Sequence, residues 1–212
     1  MTDHWSERAK AYRDSAAHRE GPDLDLMVEW AADAKTALDV ATGGGHVARR
    51  LREAGLQVVA TDAAPGMDPD VVCRSEELPF ADGSFDVVAC RLGAHHFADV
   101  RAAVREMARV AAGRVIVVDN LYGGEALEEA ERVRDPSHVR SYSAEEWRTM
   151  MEDAGLAVDE VRFFEYPIEF EPWLERTGCA GEDAVRVREL AADRIADGWI
   201  TFGRIAVKAV KR

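Results

Sequence analysis

A glycine turn flanked by two carboxylates is the part of the sequence best suited to chemistry. Residues 37–48 read as a buried strand that ends in a glycine turn and opens a helix, with Asp39 in the strand and Gly43 and Gly45 in the turn. Asp62 follows the next apolar run. Glycines let the backbone approach a ligand, a helix start offers unpaired N–H groups, and a carboxylate at the second strand's tip can hold two ribose hydroxyls. The pattern therefore predicts a site for an adenosine-containing cofactor.

Three histidines are the candidate proton acceptors. His95 and His96 come directly after a predicted strand, and His138 follows an Asp-Pro pair at 135–136. A histidine near the reacting atoms can take a proton from a hydroxyl, an amine or a carbon acid. The alternative is structural: His95 or His96 would bond the backbone at a helix start, and His138 would lie in a surface turn. No third ligand lies at metal spacing, so we expect no metal site.

Alternating strand and helix patterns must position these groups. The predicted strands are 36–41, 57–61, 70–73, 85–90, 114–119, 156–164 and 200–210. The predicted helices are 5–18, 23–33, 45–54, 100–111, 124–134, 143–154, 170–176 and 182–197. Alternating units favour a parallel sheet with helices on both faces, and the last two strands suggest an antiparallel pair at one edge. The charges of the helix at 124–134 are typical of a solvated face.

Length, charge and cysteine content limit the function. The 212 residues fit one domain with a full hydrophobic core, and no run of 18 apolar residues occurs. A net charge of −13 repels phosphate backbones and anionic membranes, so we expect neither nucleic acid nor a membrane as a partner. The polar N-terminus lacks a signal-peptide core, which favours a cytoplasmic protein. The three cysteines have no CxxC spacing and read as buried thiols.

An NAD(P)-dependent oxidoreductase of Rossmann type is one alternative for the same turn. Gly43, Gly45 and Ala48, with Asp62 17 residues after Gly45, also satisfy the dinucleotide pattern. Asp39 would face a pyrophosphate unfavourably, however, and suits a ligand with an ammonium and a sulfonium group. None of the four tyrosines has a lysine four residues later, the spacing that small nicotinamide reductases commonly use. The chain is also too short for a separate substrate domain after a six-stranded dinucleotide fold.

Four ordered segments carry a resemblance to a known family. They are Leu-Asp-Val-Ala-Thr-Gly-Gly-Gly-His at 38–46, Asp-Ala-Ala-Pro-Gly-Met at 62–67, Glu-Leu-Pro-Phe-Ala-Asp-Gly-Ser-Phe-Asp-Val-Val at 77–88 and Ala-His-His-Phe at 94–97. Together they resemble the class I S-adenosylmethionine-dependent methyltransferases of the small, ubiquinone-biosynthesis-like type. The resemblance covers residues 10–165 and implies a methyltransferase with an α/β fold. The implied sheet is Rossmann-like, doubly wound and seven-stranded, mostly parallel with an antiparallel last strand.

The resemblance implies a role for individual residues, with S-adenosylmethionine as the cofactor. Asp39 would fix the methionine ammonium directly or through water, the turn glycines would lie under the methionine and ribose, and Asp62 would take the ribose hydroxyls. Ser75 and Glu76 would border the adenine, and Arg91 and Leu92 would line the pocket near the methyl group. The predicted cofactor-binding residues are Tyr12, Asp39, Ala41, Thr42, Gly43, Gly45, Asp62, Ser75, Glu76, Arg91 and Leu92. The catalytic candidates are His95, His96 and His138.

The resemblance also implies how the chain is divided. Residues 1–212 would form one methyltransferase domain, with lid helices in 1–34 and substrate-side insertions in 120–199. Tyr12, Ser15 and His18 share one face of the first helix, which would contact the cofactor if it folds over it. The alternative is an amphipathic helix that docks on the domain without contacting the cofactor.

Two departures from the family concern the adenine side. Arg74 stands where the family usually has an acidic residue that reads the adenine amino group, and arginine cannot accept a hydrogen bond. Only 15 steps separate Asp62 from Glu77, which predicts a loop at Pro65 and Pro69 instead of a helix. Arg74 therefore keeps open a non-catalytic protein that binds S-adenosylmethionine. The sequence predicts a small-molecule methyl acceptor without naming it, and leaves a homodimer open.

Overall fold

A mostly parallel β-sheet forms the centre of the computed structural model, which describes residues 5–6, 9–10, 13 and 19–212. The strands are β1 (Thr36–Val40), β2 (Gln57–Asp62), β3 (Val71–Val72), β4 (Phe85–Arg91), β5 (Ala111–Asn120), β6 (Leu156–Glu169), β7 (Ile195–Ala196) and β8 (Trp199–Lys211). Their order is β3-β2-β1-β4-β5-β8-β6, and β7 pairs with β8 outside this path. β8 runs antiparallel to β5 and β6, whereas the other neighbours on the path are parallel. The predicted sheet is confirmed, with the two-residue β7 as an addition.

Helices cover both faces of this sheet. They are α1 (Pro22–Trp30), α2 (His46–Glu53), α3 (Val100–Val110), α4 (Glu125–Arg134), α5 (Ala144–Asp153), α6 (Phe170–Glu175) and α7 (Gly181–Leu190). One apolar cluster packs α3 and α5 on one face, and another packs α1 and α2 on the other. β5 shows the alternation that requires this, because Val115 and Val117 belong to the first cluster and Ile116 and Val118 to the second.

Part of the 120–199 segment builds a lobe beside the carboxyl end of the sheet. α4, α6 and α7 pack there around a third apolar cluster that includes Leu127, Phe170, Trp173 and Phe202. A capping box at Ser143 starts α5, since Ser143 Oγ accepts from Glu146 N and the Glu146 carboxylate accepts from Ser143 N. Among the described residues, no helix is long and apolar enough to cross a membrane.

The predicted helix at 182–197 is wrong beyond Leu190, where a 3-10 turn at Ala192–Arg194 and a short strand follow. α7 ends at Leu190, and Ile195 and Ala196 form β7, which pairs with the start of β8. Asp197 and Gly198 connect the two strands with φ values of 51° and 82°. Two successive left-handed residues form the two-residue turn that suits the twist of a β-hairpin.

The chain between β2 and β3 is short, as the sequence predicts. It contains a single 3-10 turn at Pro65–Met67 in place of a helix. β3 itself has two residues, fewer than the predicted strand at 70–73, and β6 runs five residues beyond its predicted end at 164. The predicted helix at 5–18 lies largely outside the described residues.

Candidate active site

A cavity of about 440 Å³ opens at the carboxyl ends of β1, β2 and β4, and we call it the glycine-loop cavity. It is lined by residues 41–44, 46–47, 62–64, 67, 72–76, 91–93 and 96–98, together with Trp5. The predicted cofactor-binding residues in this lining are Ala41, Thr42, Gly43, Asp62, Ser75, Glu76, Arg91 and Leu92. Asp39 and Gly45 are not in the lining, and Tyr12 lies outside the described residues. The volume falls in the range of small-molecule sites.

Left-handed backbone conformations shape this cavity. Gly43 and Gly45 have φ values of 51° and 76°, which glycine adopts without a steric penalty. Ala41 and Leu92 also have positive values, 56° and 55°, directly after β1 and β4. Residues with a side chain rarely adopt this conformation, and when they do they cluster at functional sites. The two residues therefore mark this edge of the sheet as functional.

Asp39 supports the glycine loop from within β1. Its Oδ2 accepts hydrogen bonds from Thr42 Oγ1 at 2.5 Å and from Ala48 N at 3.0 Å, which ties the loop to α2. The residue is 1% exposed, and burial raises its pKa to about 7. A cation bound nearby would favour the ionised carboxylate and lower this pKa. Direct contact between Asp39 and a ligand stays a prediction, because Asp39 does not line the cavity.

Asp62 is the last residue of β2 and holds the loop from the neighbouring strand. Its Oδ2 accepts from Gly43 N at 3.0 Å, and its Oδ1 accepts from Ala64 N at 2.9 Å. Burial raises the pKa of Asp62, and the backbone donors oppose this shift. Each carboxylate oxygen has a second lone pair. A pair of ligand hydroxyls could therefore bond Asp62 without displacing either backbone donor.

The wall after β3 combines an acidic, a basic and an apolar side chain. Glu76 Oε1 accepts from Ala98 N at 3.1 Å and from Asp99 N at 3.3 Å, which ties the wall to the start of α3. Burial opposes ionisation of Glu76, but the backbone donors and Arg74 outweigh it and lower its pKa. Val72 is 54% exposed and lines the cavity, a contact that sequence reasoning missed.

Arg91 lines the glycine-loop cavity while its guanidinium binds α1. Arg91 Nε and Nη2 donate to the two oxygens of Asp23, at 2.8 and 3.2 Å, and Arg204 Nη1 donates to Asp23 Oδ2 at 2.9 Å. Asp23 is fully buried, and although burial opposes its ionisation the two arginines lower its pKa. This buried cluster joins α1 to β4 and β8.

A second cavity, of about 50 Å³, adjoins the first, and we call it the polar cavity. It is lined by Leu92, His95, His96, Asn120, Glu131, Arg134, Asp135, His138, Ile168, Trp173, Arg176, Phe202 and Arg204. Leu92 and His96 line both cavities and define their junction. All three histidines that the sequence singled out meet in this cavity.

Asp119, near the end of β5, binds His95 with both of its carboxylate oxygens. Oδ1 lies 2.5 Å from His95 Nδ1, and Oδ2 accepts from the His95 backbone N at 3.0 Å. Burial disfavours the charged imidazolium, but Asp119 outweighs this and raises the pKa of His95. Sequence reasoning missed Asp119, although an acidic residue at the carboxyl end of a parallel strand was an available signal.

The other two histidines have different environments. His96 Nδ1 lies 3.1 Å from Ser137 O, and burial together with the neighbouring His95 lowers the pKa of His96 to about 3. His138 Nε2 lies 3.0 Å from Glu128 Oε2, and the side chain is 1% exposed. The alternative that His138 lies in an exposed surface turn is therefore wrong.

The helix α4 does not present a simple solvated face. Glu128, Glu131 and Arg134 are 2%, 4% and 8% exposed, because they face the polar cavity region and not the solvent. The Arg134 guanidinium stacks 4.3 Å from the Trp173 ring centroid and donates to Trp173 O. Within the part of the chain that the structure describes, no group of three His, Cys, Asp or Glu residues could hold a metal ion.

Comparisons with known proteins agree with this geometry. A family profile described as a methyltransferase domain matches residues 38–118. The uncharacterized methyltransferase YcgJ of Bacillus subtilis (strain 168) is 35% identical over 202 residues, 84% of this chain and 80% of that protein. The crystal structure of YcgJ superposes with a TM-score of 0.80 at 28% identity, over 90% of this chain and 98% of that one. A demethylmenaquinone methyltransferase of Thermus thermophilus is 37% identical over 114 residues, 45% of this chain and 51% of that protein.

The family profile spans the segment from the glycine loop to β5, and the YcgJ match extends over most of the chain in both sequence and structure. The sheet order and the glycine-loop cavity fit the same assignment. The chain therefore belongs to the class I S-adenosylmethionine-dependent methyltransferases.

Proposed function

We propose that the protein transfers the methyl group of S-adenosylmethionine to a small-molecule acceptor by direct in-line displacement. The observation that carries this proposal is the junction of the two cavities at Leu92 and His96. A cofactor in the glycine-loop cavity with its methyl group at the junction would direct this methyl group toward an acceptor in the polar cavity. The sulfonium is already a good leaving group, so the protein mainly supplies proximity and alignment.

The glycine-loop cavity suits this cofactor in size and in chemistry. A Cβ atom built on Gly43 meets no other atom within 4 Å, so a side chain there would occupy open cavity space. The lone pairs that remain on Asp62 suit the two ribose hydroxyls. Asp39 and Thr42 lie at the methionine end, where the Asp39 carboxylate would attract the ammonium through Thr42 or a water molecule. Ala41, Gly43 and Gly45 give the backbone its curvature there.

The remaining predicted cofactor residues would contact the two ends of the ligand. Ser75 and Glu76 would border the adenine, with Val72 as an apolar surface against the ring. Leu92 would lie next to the methyl group, and the Arg91 backbone would shape the same wall while its side chain holds α1. A lid formed by residues 1–34, with Tyr12 on the cofactor, stays a prediction.

The acceptor side is formed largely by residues 120–199, which contribute eight of the 13 residues that line the polar cavity. This supports the interpretation of the lobe as a set of substrate-side insertions. His95, His96 and His138 are the candidates for a proton acceptor there. A homodimer and a cytoplasmic location stay predictions of the sequence.

Calorimetry with three ligands tests the proposal. We expect the protein to bind S-adenosylmethionine and S-adenosylhomocysteine and to bind NAD weakly or not at all. Tight binding of NAD with no binding of either sulfur ligand would contradict the assignment of the cavity. A screen with isotopically methyl-labelled S-adenosylmethionine against small acceptors then tests catalysis, and a protein that binds the cofactor but methylates nothing would favour a non-catalytic binding protein.

A further inference from the structure

We propose that the polar cavity holds a small, polar acceptor whose attacking atom is a hydroxyl oxygen, that His95 takes the proton of this hydroxyl, and that Asp119 positions His95 for the transfer. The inference rests on the proposed methyl transfer and adds the class of acceptor and the residue to which its proton is transferred. The contacts of Asp119 with His95, beside the junction of the two cavities, support this inference.

Asp119 fixes both the orientation and the tautomer of His95. The Asp119 carboxylate binds His95 at two points, because Oδ2 accepts from the backbone N of His95 and Oδ1 lies 2.5 Å from its Nδ1. A carboxylate is an acceptor only, so the proton between Oδ1 and Nδ1 belongs to the ring and the neutral ring has its lone pair on Nε2. His95 lines the polar cavity, and among the described residues no hydrogen bond to Nε2 is made. Nε2 is therefore free to accept a proton from a molecule in the cavity.

The other two histidines are less suited to this role. His96 has a pKa lowered to about 3 by burial and by His95, so it is a weak proton acceptor at neutral pH. His138 pairs its Nε2 with Glu128, and its other ring nitrogen, Nδ1, is buried 3.9 Å from Glu131 Oε2, where a molecule in the cavity does not reach it. The pKa of His95 is raised, because Asp119 favours the charged ring more strongly than burial opposes it, so this ring takes up a proton more readily than that of His96. The titratable groups that face His95 are Asp119 from β5, His96 from its own turn, Glu131 from α4, and Asp135 and His138 from the segment after α4.

The size and polarity of the polar cavity indicate a small, polar acceptor. A volume of about 50 Å³ corresponds to a few water molecules, at roughly 10–15 Å³ each by the same measure. Glu131 Oε1 lies 3.5 Å from Arg134 Nη1 and His138 Nδ1 lies 3.9 Å from Glu131 Oε2, so ionisable side chains crowd one wall of this cavity. Nine of the 13 residues that line the cavity are polar or charged, so a ligand with polar groups matches its lining. A large hydrocarbon acceptor would offer these groups no hydrogen bond.

The proposed step balances in atoms and charge. A lone pair of the acceptor oxygen forms the new bond to the methyl carbon, and the electrons of the carbon–sulfur bond leave with the sulfur. The acceptor O–H proton moves to His95 Nε2, and the resulting imidazolium is stabilised by the Asp119 carboxylate. The products are the methyl ether, S-adenosylhomocysteine and protonated His95, which returns its proton to the solvent.

A histidine NMR titration tests the positioning role without knowledge of the acceptor. In protein saturated with S-adenosylhomocysteine, ¹⁵N shifts should show the proton of neutral His95 on Nδ1. Asp119→Asn should lower the His95 titration midpoint by about one pH unit or more, as the loss of an adjacent carboxylate requires. Glu128→Gln, which removes the carboxylate from His138, is the matched control and should leave the His95 midpoint in place. A neutral His95 protonated on Nε2, or a midpoint that Asp119→Asn does not move, would overturn the inference.

A methyl-transfer panel tests the acceptor class. It compares phenol, 4-hydroxybenzoate and lactate, which have a hydroxyl proton, with N,N-dimethylaniline, which has none on its nitrogen. We expect transfer to a hydroxyl compound, with kcat at pH 7 lowered about tenfold or more by Asp119→Asn and KM changed less than twofold. Transfer to the tertiary amine alone, or an unchanged kcat and pH profile in Asp119→Asn, would contradict the inference. If no compound is methylated, the NMR titration decides it, whereas failure of S-adenosylhomocysteine to bind contradicts the proposed function instead.

Discussion

Replacing Asp62 with alanine should weaken cofactor binding strongly while the protein stays folded. In the structure each carboxylate oxygen of Asp62 bonds one backbone N–H, of Gly43 and of Ala64, and keeps a lone pair for the ligand. A hydrogen bond to a charged group contributes about 1.5–3 kcal/mol, which corresponds to roughly a 10- to 150-fold change in affinity. Alanine removes the acceptor for both ribose hydroxyls and also releases the glycine loop, so both effects lower the affinity.

The assay is calorimetric titration of S-adenosylhomocysteine into the wild type and the variant. Asp193→Ala is the matched control, because it removes an exposed carboxylate from the turn after α7, remote from the lining of the glycine-loop cavity. The affinity of Asp62→Asn should lie between that of the wild type and that of Asp62→Ala, since the asparagine amide keeps one acceptor oxygen. Circular dichroism checks that each variant is folded. An affinity within twofold of the wild type in folded Asp62→Ala would refute the ribose assignment.

Four further predictions concern the charge of Asp39, the buried ion cluster and a helix cap. Because burial raises the pKa of Asp39 to about 7, binding of the cationic S-adenosylmethionine should tighten roughly tenfold from pH 6 to pH 8, and Asp39→Asn should flatten this dependence in calorimetry. In ligand-free protein, Asp39 should also contribute less to the free energy of unfolding as the pH rises from 4 through 7, because its pKa is higher in the folded state than in the unfolded state. Denaturant titrations in which the wild type and Asp39→Asn have the same pH dependence would contradict this. Asp23→Ala leaves two buried arginines without their carboxylate partner and should lower the free energy of unfolding by about 3–5 kcal/mol. Asp25→Ala removes an exposed ion pair and should lower it by less than about 1 kcal/mol, so equal losses in denaturant titrations would contradict the account. Ser143→Ala should cost about 1 kcal/mol through loss of the capping box, whereas an unchanged unfolding midpoint would show that the cap is dispensable.

The strands and the helices between them could be predicted because they depend on local patterns. Apolar runs such as 115–118, helices between them and a resemblance that spans the ordered motifs were enough for the seven-stranded sheet. The end of α7 was misread because Ala191 and Ile195 continue a helical apolar spacing. The Asp197-Gly198 pair is a strong hairpin signal, yet a glycine in that place also suits a helix C-terminus. Only pairing with β8 decides between the two.

The cofactor half of the site was more predictable than the acceptor half. Eight of the 11 predicted cofactor residues line one cavity, because they follow successive parallel strands whose ends must converge. Asp119 binds His95 from 24 positions away, and such a contact depends on the packing of β4 beside β5. The direction of the Arg91 side chain could not be predicted either, since its partner Asp23 lies in α1, 68 residues earlier in the chain.

A crystal structure of the protein with bound S-adenosylhomocysteine tests the central claim most directly. The account predicts the ligand in the glycine-loop cavity, with both ribose hydroxyls within hydrogen-bond distance of Asp62. It also predicts the sulfur at the junction near Leu92 and His96, so that a methyl group on it would point toward the polar cavity. A ligand in the reverse orientation, with its adenine at the junction and its sulfur beside Val72, would contradict it.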